Sequence, residues 1–166
     1  MNIDDFDALD TEAARAGVAV WAAIPSWVDA VVDGRPYRDV DELATAAASA
    51  ARDWTRADLD AALAHHPRIG ARVTGADAGA AASRREQASM TDAADDVAAR
   101  IADGNAAYEA RFGRVFLIRA AGRSPEEMLA ELERRLANDD ETEAREALSQ
   151  LAEIALLRLR ATVTQG

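Results

Sequence analysis

The chain has 166 residues, of which 19 are basic and 30 are acidic, for a formal net charge of -11 at pH 7. That length suits one globular domain with one hydrophobic core, so residues 1–166 are expected to form a single domain. The acidic balance argues against nucleic-acid binding, and no apolar run reaches the roughly 20 residues of a membrane span. The acidic N-terminus lacks the basic region of a secretory signal, so a cytoplasmic location is expected.

Residue types that are missing exclude several chemistries. The absence of Cys rules out thiolate catalysis and Cys-ligated zinc. Every basic residue is Arg, so a Schiff base with Lys is also excluded. His65 and His66 are adjacent and are the only histidines, which makes a three-histidine zinc site impossible. An enzyme built from His, carboxylates and Arg remains open, as does a protein without catalytic activity.

The first half of the chain reads as a series of helices. Alanine, the best helix former, accounts for 42 residues, which favours an all-α fold. Asp39 and Thr55 are predicted N-caps, Ser26 is expected to cap a short helix, and Pro67 ends the helix that reaches His66. The predicted helices cover residues 3–24, 26–33, 39–54 and 55–66.

The second half begins with the longest predicted loop, residues 68–82, which contains three glycines. Ser83 is expected to open a helix, and a long amphipathic helix follows from about Thr91 to Phe112, with Gly113 as its C-terminal cap. Residues 115–118 form a short apolar run that suits an extended segment. Helices starting at Ser124 and at Asp140 complete an all-α, single-domain bundle of about seven or eight helices.

His66 is the first candidate catalytic residue. Leu59, Leu63 and His66 follow the spacing of one helix face, which points the imidazole inward at a helix end. A histidine there can act in proton transfer. It can equally well cap the last carbonyl groups of the helix, and the sequence leaves both interpretations open.

The second candidate is the polar segment that begins at Ser83. Ser83-x-x-Glu86 matches a capping box, and that structural explanation accounts for both residues. The functional alternative is a polar cradle at a helix N-terminus, where free N–H groups and the helix dipole favour an anionic or urea-like ligand. Its members would be Ser83, Arg84, Arg85, Glu86 and Gln87.

The third candidate is the end of the long helix and the run after it, residues 105–116. The structural explanation is a helix end that packs its aromatic side chains in the core. The functional alternative is an extended run after Gly113 that presents backbone N–H and C=O groups to a ligand.

These segments, taken in order, resemble the OHCU decarboxylases, which act on 2-oxo-4-hydroxy-4-carboxy-5-ureidoimidazoline (OHCU) in urate breakdown. The resemblance covers nearly the whole chain from Phe6 onward. Its strength lies in the shared order of the motifs, since no single motif is specific. The motifs are His66-Pro67, Ser83-x-x-Glu86-Gln87, Tyr108-Glu-x-Arg111-Phe112-Gly113-x-x-Phe116, Gly122-Arg123-Ser124, Arg135-Leu136-x-Asn138 and Ile154-Ala155-x-Leu157-Arg158-Leu159.

The resemblance implies an all-α homodimer without a cofactor or a metal, which releases CO2 from OHCU to give (S)-allantoin. It makes His66 the catalytic histidine. Glu86 is expected to be catalytic too, either orienting His66 or hydrogen-bonding the ring hydroxyl and ureido N–H of the substrate. The implied substrate-binding residues are Pro67, Ser83, Arg84, Arg85, Glu86, Gln87, Phe116, Leu117, Ile118, Arg119 and Ala120, the last five through their backbone.

The chain departs from the family pattern beside these positions. Arg68-Ile69 stands where the family often has Asp-Leu, and Arg114-Val115 replaces Phe-Pro before Phe116. Two other functions stay open at this stage. One is a non-catalytic helical interaction module, and the other is an enzyme of the same fold that acts on a different ureido or imidazole acid.

Overall fold

A computed structural model describes residues 1–64, 66–71, 78–88, 90 and 93–166. The described residues form nine α-helices and one short 3₁₀ helix, Ala51–Asp53, and contain no strand beyond an isolated bridge between Asn2 and Thr164. The predicted all-α fold is confirmed. The α-helices are α1 (Ile3–Ala8), α2 (Thr11–Trp21), α3 (Pro25–Asp33), α4 (Val40–Ala50), α5 (Arg56–Leu63), α6 (Ala78–Glu86), α7 (Asp95–Phe112), α8 (Pro125–Arg135) and α9 (Asp140–Thr162).

The N-terminal segment forms two helices where one, 3–24, was predicted. Leu9 is extended (φ -61°, ψ 143°) and ends α1. Asp10 then begins α2 as its N-cap, with its carboxylate accepting the backbone N–H of Ala13 at 2.8 Å. An N-cap residue has non-helical dihedral angles, so the helix restarts at Asp10 instead of running through it.

Most predicted caps are confirmed. The Asp39 side chain accepts the N–H of Glu42 at 2.7 Å, and Ser124 forms a full capping box with Glu127. The prediction that Ser26 caps α3 is wrong. Ile24 is the N-cap, and its hydrocarbon side chain forms no hydrogen bond. Pro25 occupies the first helical position, where a residue without an N–H is tolerated.

Residue contacts divide the chain into two compact units, so the expectation of a single domain stays a prediction. The first unit comprises Met1–Asp58 and Ala152–Gly166. The indole N–H of Trp27 donates to the carbonyl of Ala47 at 2.9 Å, which fastens α3 to α4 within a buried aromatic core. No helix in the described part of the chain is long and apolar enough to cross a bilayer.

The second unit, Leu59–Leu151, contains all the predicted site residues. Its core forms where the buried face of α7 packs against α8, as the spacing of apolar residues along α7 predicts. The core cluster consists of Ile69, Val97, Ile101, Tyr108, Phe112, Phe116, Ile118, Ala120, Met128, Leu129 and Leu132, with Met90 and Leu136 packed against it.

The contact between α7 and α8 depends on a glycine. A Cβ atom added at Gly104 would lie 2.6 Å from Cδ2 of Leu132, a residue with no exposed surface. Gly104→Ala should therefore destabilise the protein by about 1–3 kcal/mol, although Ala has the higher helix propensity. Urea denaturation measures this change.

Gly17 in α2 provides the matched control. A Cβ atom there meets no described atom within 4 Å, so Gly17→Ala should raise the free energy of unfolding by up to about 1 kcal/mol. Equal effects of the two substitutions would contradict the close packing of α7 on α8.

Candidate active site

The segment that carries His66 lies beyond α5. The sequence predicted that His66 would continue the inward face of that helix, but α5 ends at Leu63. The backbone N–H of His66 donates to the carbonyl of Leu63 at 3.0 Å and closes a turn, and the Nε2 atom of the imidazole is buried. Pro67 is half-buried beside it. His65 lies outside the described residues.

One peptide group after His66 is held from two directions. The carbonyl of Ile69 accepts from Nδ2 of Asn105 at 2.9 Å, and the N–H of Gly70 donates to Oε1 of Gln87 at 3.0 Å. Gly70 has a φ of +77°, a left-handed conformation that favours glycine. These two bonds bring the segment after His66 together with α7 and with the residue that follows α6.

The segment from Ser83 to Gln87 lies at the opposite end of a helix from the one predicted. The sequence placed Ser83 as the N-cap, but α6 begins at Ala78, and Ser83 is buried in its second half. The predicted loop 68–82 is shorter for the same reason. The proposed capping box and the proposed N-terminal cradle are therefore both wrong. Glu86 is the last residue of α6.

The side chains of this segment differ in their surroundings. Arg84 and Arg85 are exposed, and Glu86 and Gln87 are half-buried. The N–H of Gln87 donates to the carbonyl of Ser83 at 3.0 Å, so it continues the turn of α6. The amide of Gln87 is the side-chain group of this helix end that contacts the His66 segment, through its bond to Gly70.

Residues 116–120, whose backbone the family resemblance implies in substrate binding, form the third segment. This segment contains no helix and contributes four buried side chains to the core. The Leu117 carbonyl accepts from Nη1 of Arg135 at 2.8 Å, and the N–H of Arg119 donates to Oε1 of Gln150 at 2.9 Å. The guanidinium of Arg119 donates to the carbonyl of Ala121 at 2.5 Å. That a ligand binds the backbone of this segment stays a prediction.

The same core cluster receives residues from, or close to, all three predicted segments. Ile69 comes from the His66 segment, Met90 follows the end of α6, and Phe116, Ile118 and Ala120 come from the third segment. The structure thus brings together residues that lie as many as 51 positions apart in the sequence. The cluster gives these three segments a shared apolar base.

A buried ion pair that the sequence analysis missed supports the third segment. Arg135 and Glu143 have 1% and 0% of their surface exposed, and Nη2 of Arg135 lies 2.5 Å from Oε1 of Glu143. Tyr108 donates its hydroxyl proton to Glu143, and Asn138 donates to the same carboxylate at 2.9 Å. Every charge in this network therefore has a hydrogen-bonding partner, as burial requires.

The network holds the third segment through two contacts. Besides the bond from Arg135 to the Leu117 carbonyl, the guanidinium carbon of Arg135 lies 4.6 Å from the ring centre of Phe116. Burial, followed by the hydrogen bond to Glu143, raises the pKa of the Tyr108 hydroxyl well above its ordinary value. Tyr108 therefore acts as a hydrogen-bond donor at neutral pH.

A second ion pair joins the His66 segment to α7. Arg68 binds Glu109 through two bonds, Nε to Oε1 at 2.5 Å and Nη2 to Oε2 at 2.8 Å. The hydrogen bond from Arg68 lowers the pKa of the Glu109 carboxyl. The pair is formed at neutral pH and is lost when acid protonates Glu109, so it stabilises the protein only above that pH range.

A cavity of about 380 Å³ lies beside this region. It is lined by Asp60, Leu63, Ala64, Glu109, Gly113, Arg114 and Val115, so its walls are the end of α5 and the end of α7. Four of these residues, Glu109, Gly113, Arg114 and Val115, belong to the third candidate segment, and none of the seven is among the catalytic or substrate-binding residues that the resemblance implies. Among the described residues, no group of three or more His, Asp or Glu side chains is arranged to hold a metal ion.

Comparisons with known proteins match this all-α chain to one family. The family model described as OHCU decarboxylase matches residues 7–160. The 2-oxo-4-hydroxy-4-carboxy-5-ureidoimidazoline decarboxylase of Haloferax volcanii is 34% identical over 130 residues, which are 75% of this chain and 73% of that protein. The protein of the same name from Amia calva is 33% identical over 135 residues, covering 79% and 76% of the two chains.

Solved structures share the fold. A crystal structure of OHCU decarboxylase in the presence of (S)-allantoin aligns with a TM-score of 0.73 and 23% identity, covering 86% of this chain and 94% of that one. A crystal structure of (S)-allantoin synthase aligns with a TM-score of 0.72 and 16% identity, covering 98% of this chain and 54% of that one. These matches define a family of decarboxylases. The chain belongs to the OHCU decarboxylase family.

The buried ion pair gives a direct test of the site's scaffold. Arg135→Met leaves the Glu143 carboxylate buried without its cation and should lower the free energy of unfolding by about 3–5 kcal/mol. Arg134→Met is the control. Its side chain is 49% exposed and pairs with Glu131 and Glu146 at the surface, which predicts a loss below about 1 kcal/mol. Chemical denaturation yielding similar losses for both variants would contradict the scaffold role of Arg135.

Proposed function

We propose that this protein converts OHCU to (S)-allantoin and CO2, using His66 and Glu86 as catalytic residues. Membership of the OHCU decarboxylase family supports the reaction. The hydrogen bond from Gly70 to Gln87 supports this choice of site. It joins the His66 segment to the end of α6, where Glu86 lies.

The chemistry of the substrate explains how side chains and backbone groups alone would suffice for the proposed decarboxylation. OHCU has a carboxylate and a hydroxyl on one ring carbon, next to a C=N bond. When the bond to the carboxylate breaks, CO2 leaves, the electron pair forms a C=C bond to the carbon that bears the ureido group, and the nitrogen of the former C=N bond takes a proton. A proton then adds to the ureido carbon while the hydroxyl loses its own proton and becomes the carbonyl. The face that receives the proton fixes the chirality of the allantoin.

His66 is the proposed proton-transfer group. The ordinary pKa of an imidazole lies near neutrality, so it can both accept and deliver a proton at working pH. The turn closed by the backbone N–H of His66 fixes where the ring leaves the chain. The carboxylate of Glu86 either orients the imidazole or binds the substrate hydroxyl and ureido N–H.

The remaining predicted residues would bind the substrate. Gln87 and Ser83 carry groups that suit urea-like edges, and Pro67 would form a wall next to His66. Arg84 and Arg85, exposed at the end of α6, would attract the substrate carboxylate from solvent. The backbone of Phe116, Leu117, Ile118, Arg119 and Ala120 would complete the pocket, with the bonds from Arg135 and Gln150 fixing its path.

The non-catalytic alternative loses its main support. It required His66 and Glu86 to serve as helix caps. Glu86 is the final residue of α6, where no N-terminal N–H group needs an acceptor. At the end of α5 the backbone N–H of His66 satisfies the Leu63 carbonyl. N-terminal capping therefore does not explain Glu86, and the Leu63 carbonyl does not depend on the His66 side chain.

We further propose that the protein works as a homodimer in the cytoplasm, without a nucleic-acid partner. The family resemblance supports the dimer, and the net charge of -11 opposes binding to a polyanion. The reaction itself is tested by adding freshly generated OHCU and following CO2 release together with the circular dichroism of the product. Production of racemic allantoin at the rate of the uncatalysed reaction would refute the proposed activity.

His66→Asn should lower kcat by about 10²-fold or more, because general acid–base groups contribute rate factors of that size. The product should also lose its chirality, since solvent would then protonate either face. His66 lies outside α5, so helical content and the melting temperature should stay near those of the wild type. Retention of most of the activity would remove His66 from the mechanism.

Glu86→Gln should likewise lower kcat by about 10²-fold or more while leaving the melting temperature nearly unchanged, since no capping function is lost. Glu133→Gln is the matched control, because it makes the same change in an exposed ion pair with Arg100 on the surface. Steady-state kinetics should show normal turnover for the control. Normal turnover in Glu86→Gln as well would mean that the carboxylate has no part in catalysis.

A further inference from the structure

The buried face of α7 carries a polar residue, Asn105, that the mechanism above does not use. Only 5% of its surface is exposed, and it lies between Ile101 and Tyr108 on the face that forms the core. Its Nδ2 atom donates to the carbonyl of Ile69 at 2.9 Å, whereas its Oδ1 atom is buried and has no hydrogen-bond partner among the described residues. The side chain of Asn105 therefore makes one hydrogen bond within the described protein, and its acceptor is the Ile69 carbonyl.

Asn105 and Gln87 bind the same peptide group, the one that joins Ile69 to Gly70. The group between Ile69 and Gly70 gives its C=O to Asn105 and its N–H to Gln87. A carbonyl only accepts and an N–H only donates, so the orientation of each side-chain amide is determined. Nδ2 of Asn105 must face Ile69, and Oε1 of Gln87 must face Gly70, which leaves the Nε2 donor of Gln87 directed elsewhere.

We propose that Asn105 is a positioning residue that presents Gln87 and His66 to the substrate through the Ile69–Gly70 peptide group. The proposal rests on the function proposed above. With the C=O fixed, the N–H direction is fixed as well, because the peptide group is planar. The N–H then holds the Gln87 amide so that Nε2 can donate to a carbonyl of a urea-like substrate.

The same peptide group fixes the position of the histidine. Ile69 follows His66 by three residues, and Pro67 between them has a restricted backbone. Anchoring the Ile69 carbonyl to α7 therefore limits the movement of the imidazole. Misplacement of a catalytic group by about 1 Å can cost up to about 10²-fold in rate, so a residue without substrate contact can still control turnover.

The test compares Asn105→Leu with the wild type. Leucine has the same number and branching of side-chain heavy atoms as Asn but cannot donate to the Ile69 carbonyl. We expect kcat/KM for OHCU to fall about tenfold or more, with a higher KM because the Gln87 amide is free to turn. In a Gln87→Ala background, Asn105→Leu should raise KM little further. Independent, multiplying effects of the two substitutions on KM would overturn the proposal.

Hydrogen exchange provides a readout that does not depend on activity. The amide of Gly70 bonds to Gln87, not to Asn105. If Asn105 holds the peptide group, Asn105→Leu should lower the protection of the Gly70 amide by about tenfold or more. Unchanged protection would overturn the proposal even in an active enzyme. If the wild type is inactive on OHCU but Gly70 loses protection, the proposed function fails and the positioning of the peptide group stands.

Two further variants separate positioning from general loss of stability. Val97→Ala removes packing from the same face of α7 and the same cluster, and it should leave KM and the Gly70 amide unchanged. Asn105→Asp keeps the shape but replaces the donor with an acceptor. Its activity relative to the wild type should recover on acidification, when the carboxyl gains a proton that it can donate to Ile69. A constant ratio across pH would overturn the proposal.

Discussion

The ion pair between Arg135 and Glu143 is the interaction on which the site's unit depends. Moving two charges out of water costs several kcal/mol for each ion, and only close contact with full hydrogen bonding offsets that cost. The hydroxyl of Tyr108 and the amide of Asn138 supply the missing bonds. The pair joins α8 to α9 directly and α7 through Tyr108. Because its guanidinium also binds the Leu117 carbonyl, loss of the pair would release a segment proposed to line the pocket.

Helix α7 links that pair to the segment after His66. Tyr108 binds the ion pair, and Asn105, three residues earlier on the same face, binds the carbonyl of Ile69. Residues three positions apart lie on one side of a helix, so a single rigid element sets the positions of the backbone segment at Phe116 and of the segment after His66. The proposed pocket therefore combines the end of α6 with two segments that are not helical, and α7 and its partners fix the geometry of those two segments.

The sequence predicted the fold well where the signal was local. The caps at Asp39 and Ser124 and the left-handed Gly113 are fixed by bonds within a few residues, and the apolar face of α7 follows from its spacing. Segment 83–87 was misplaced because Ser-x-x-Glu is equally compatible with a helix interior. The pairing of Arg135 with Glu143 was missed as well. The position of Arg135, in phase with Met128 and Leu132 on the buried face of α8, is the signal that would have revealed it.

Ion pairs also explain how the chain accommodates its departures from the family pattern. Arg68 and Arg114 stand at two of those positions, and each binds carboxylates of neighbouring elements. Arg68 binds Glu109 on α7, and Arg114, almost fully buried, lies 3.1 Å from Asp60 and 3.4 Å from Asp140. A guanidinium suits this role because its planar fork can serve two acceptors. The charge of each Arg is balanced locally, so the neighbouring residues of the proposed site need supply no counter-charge.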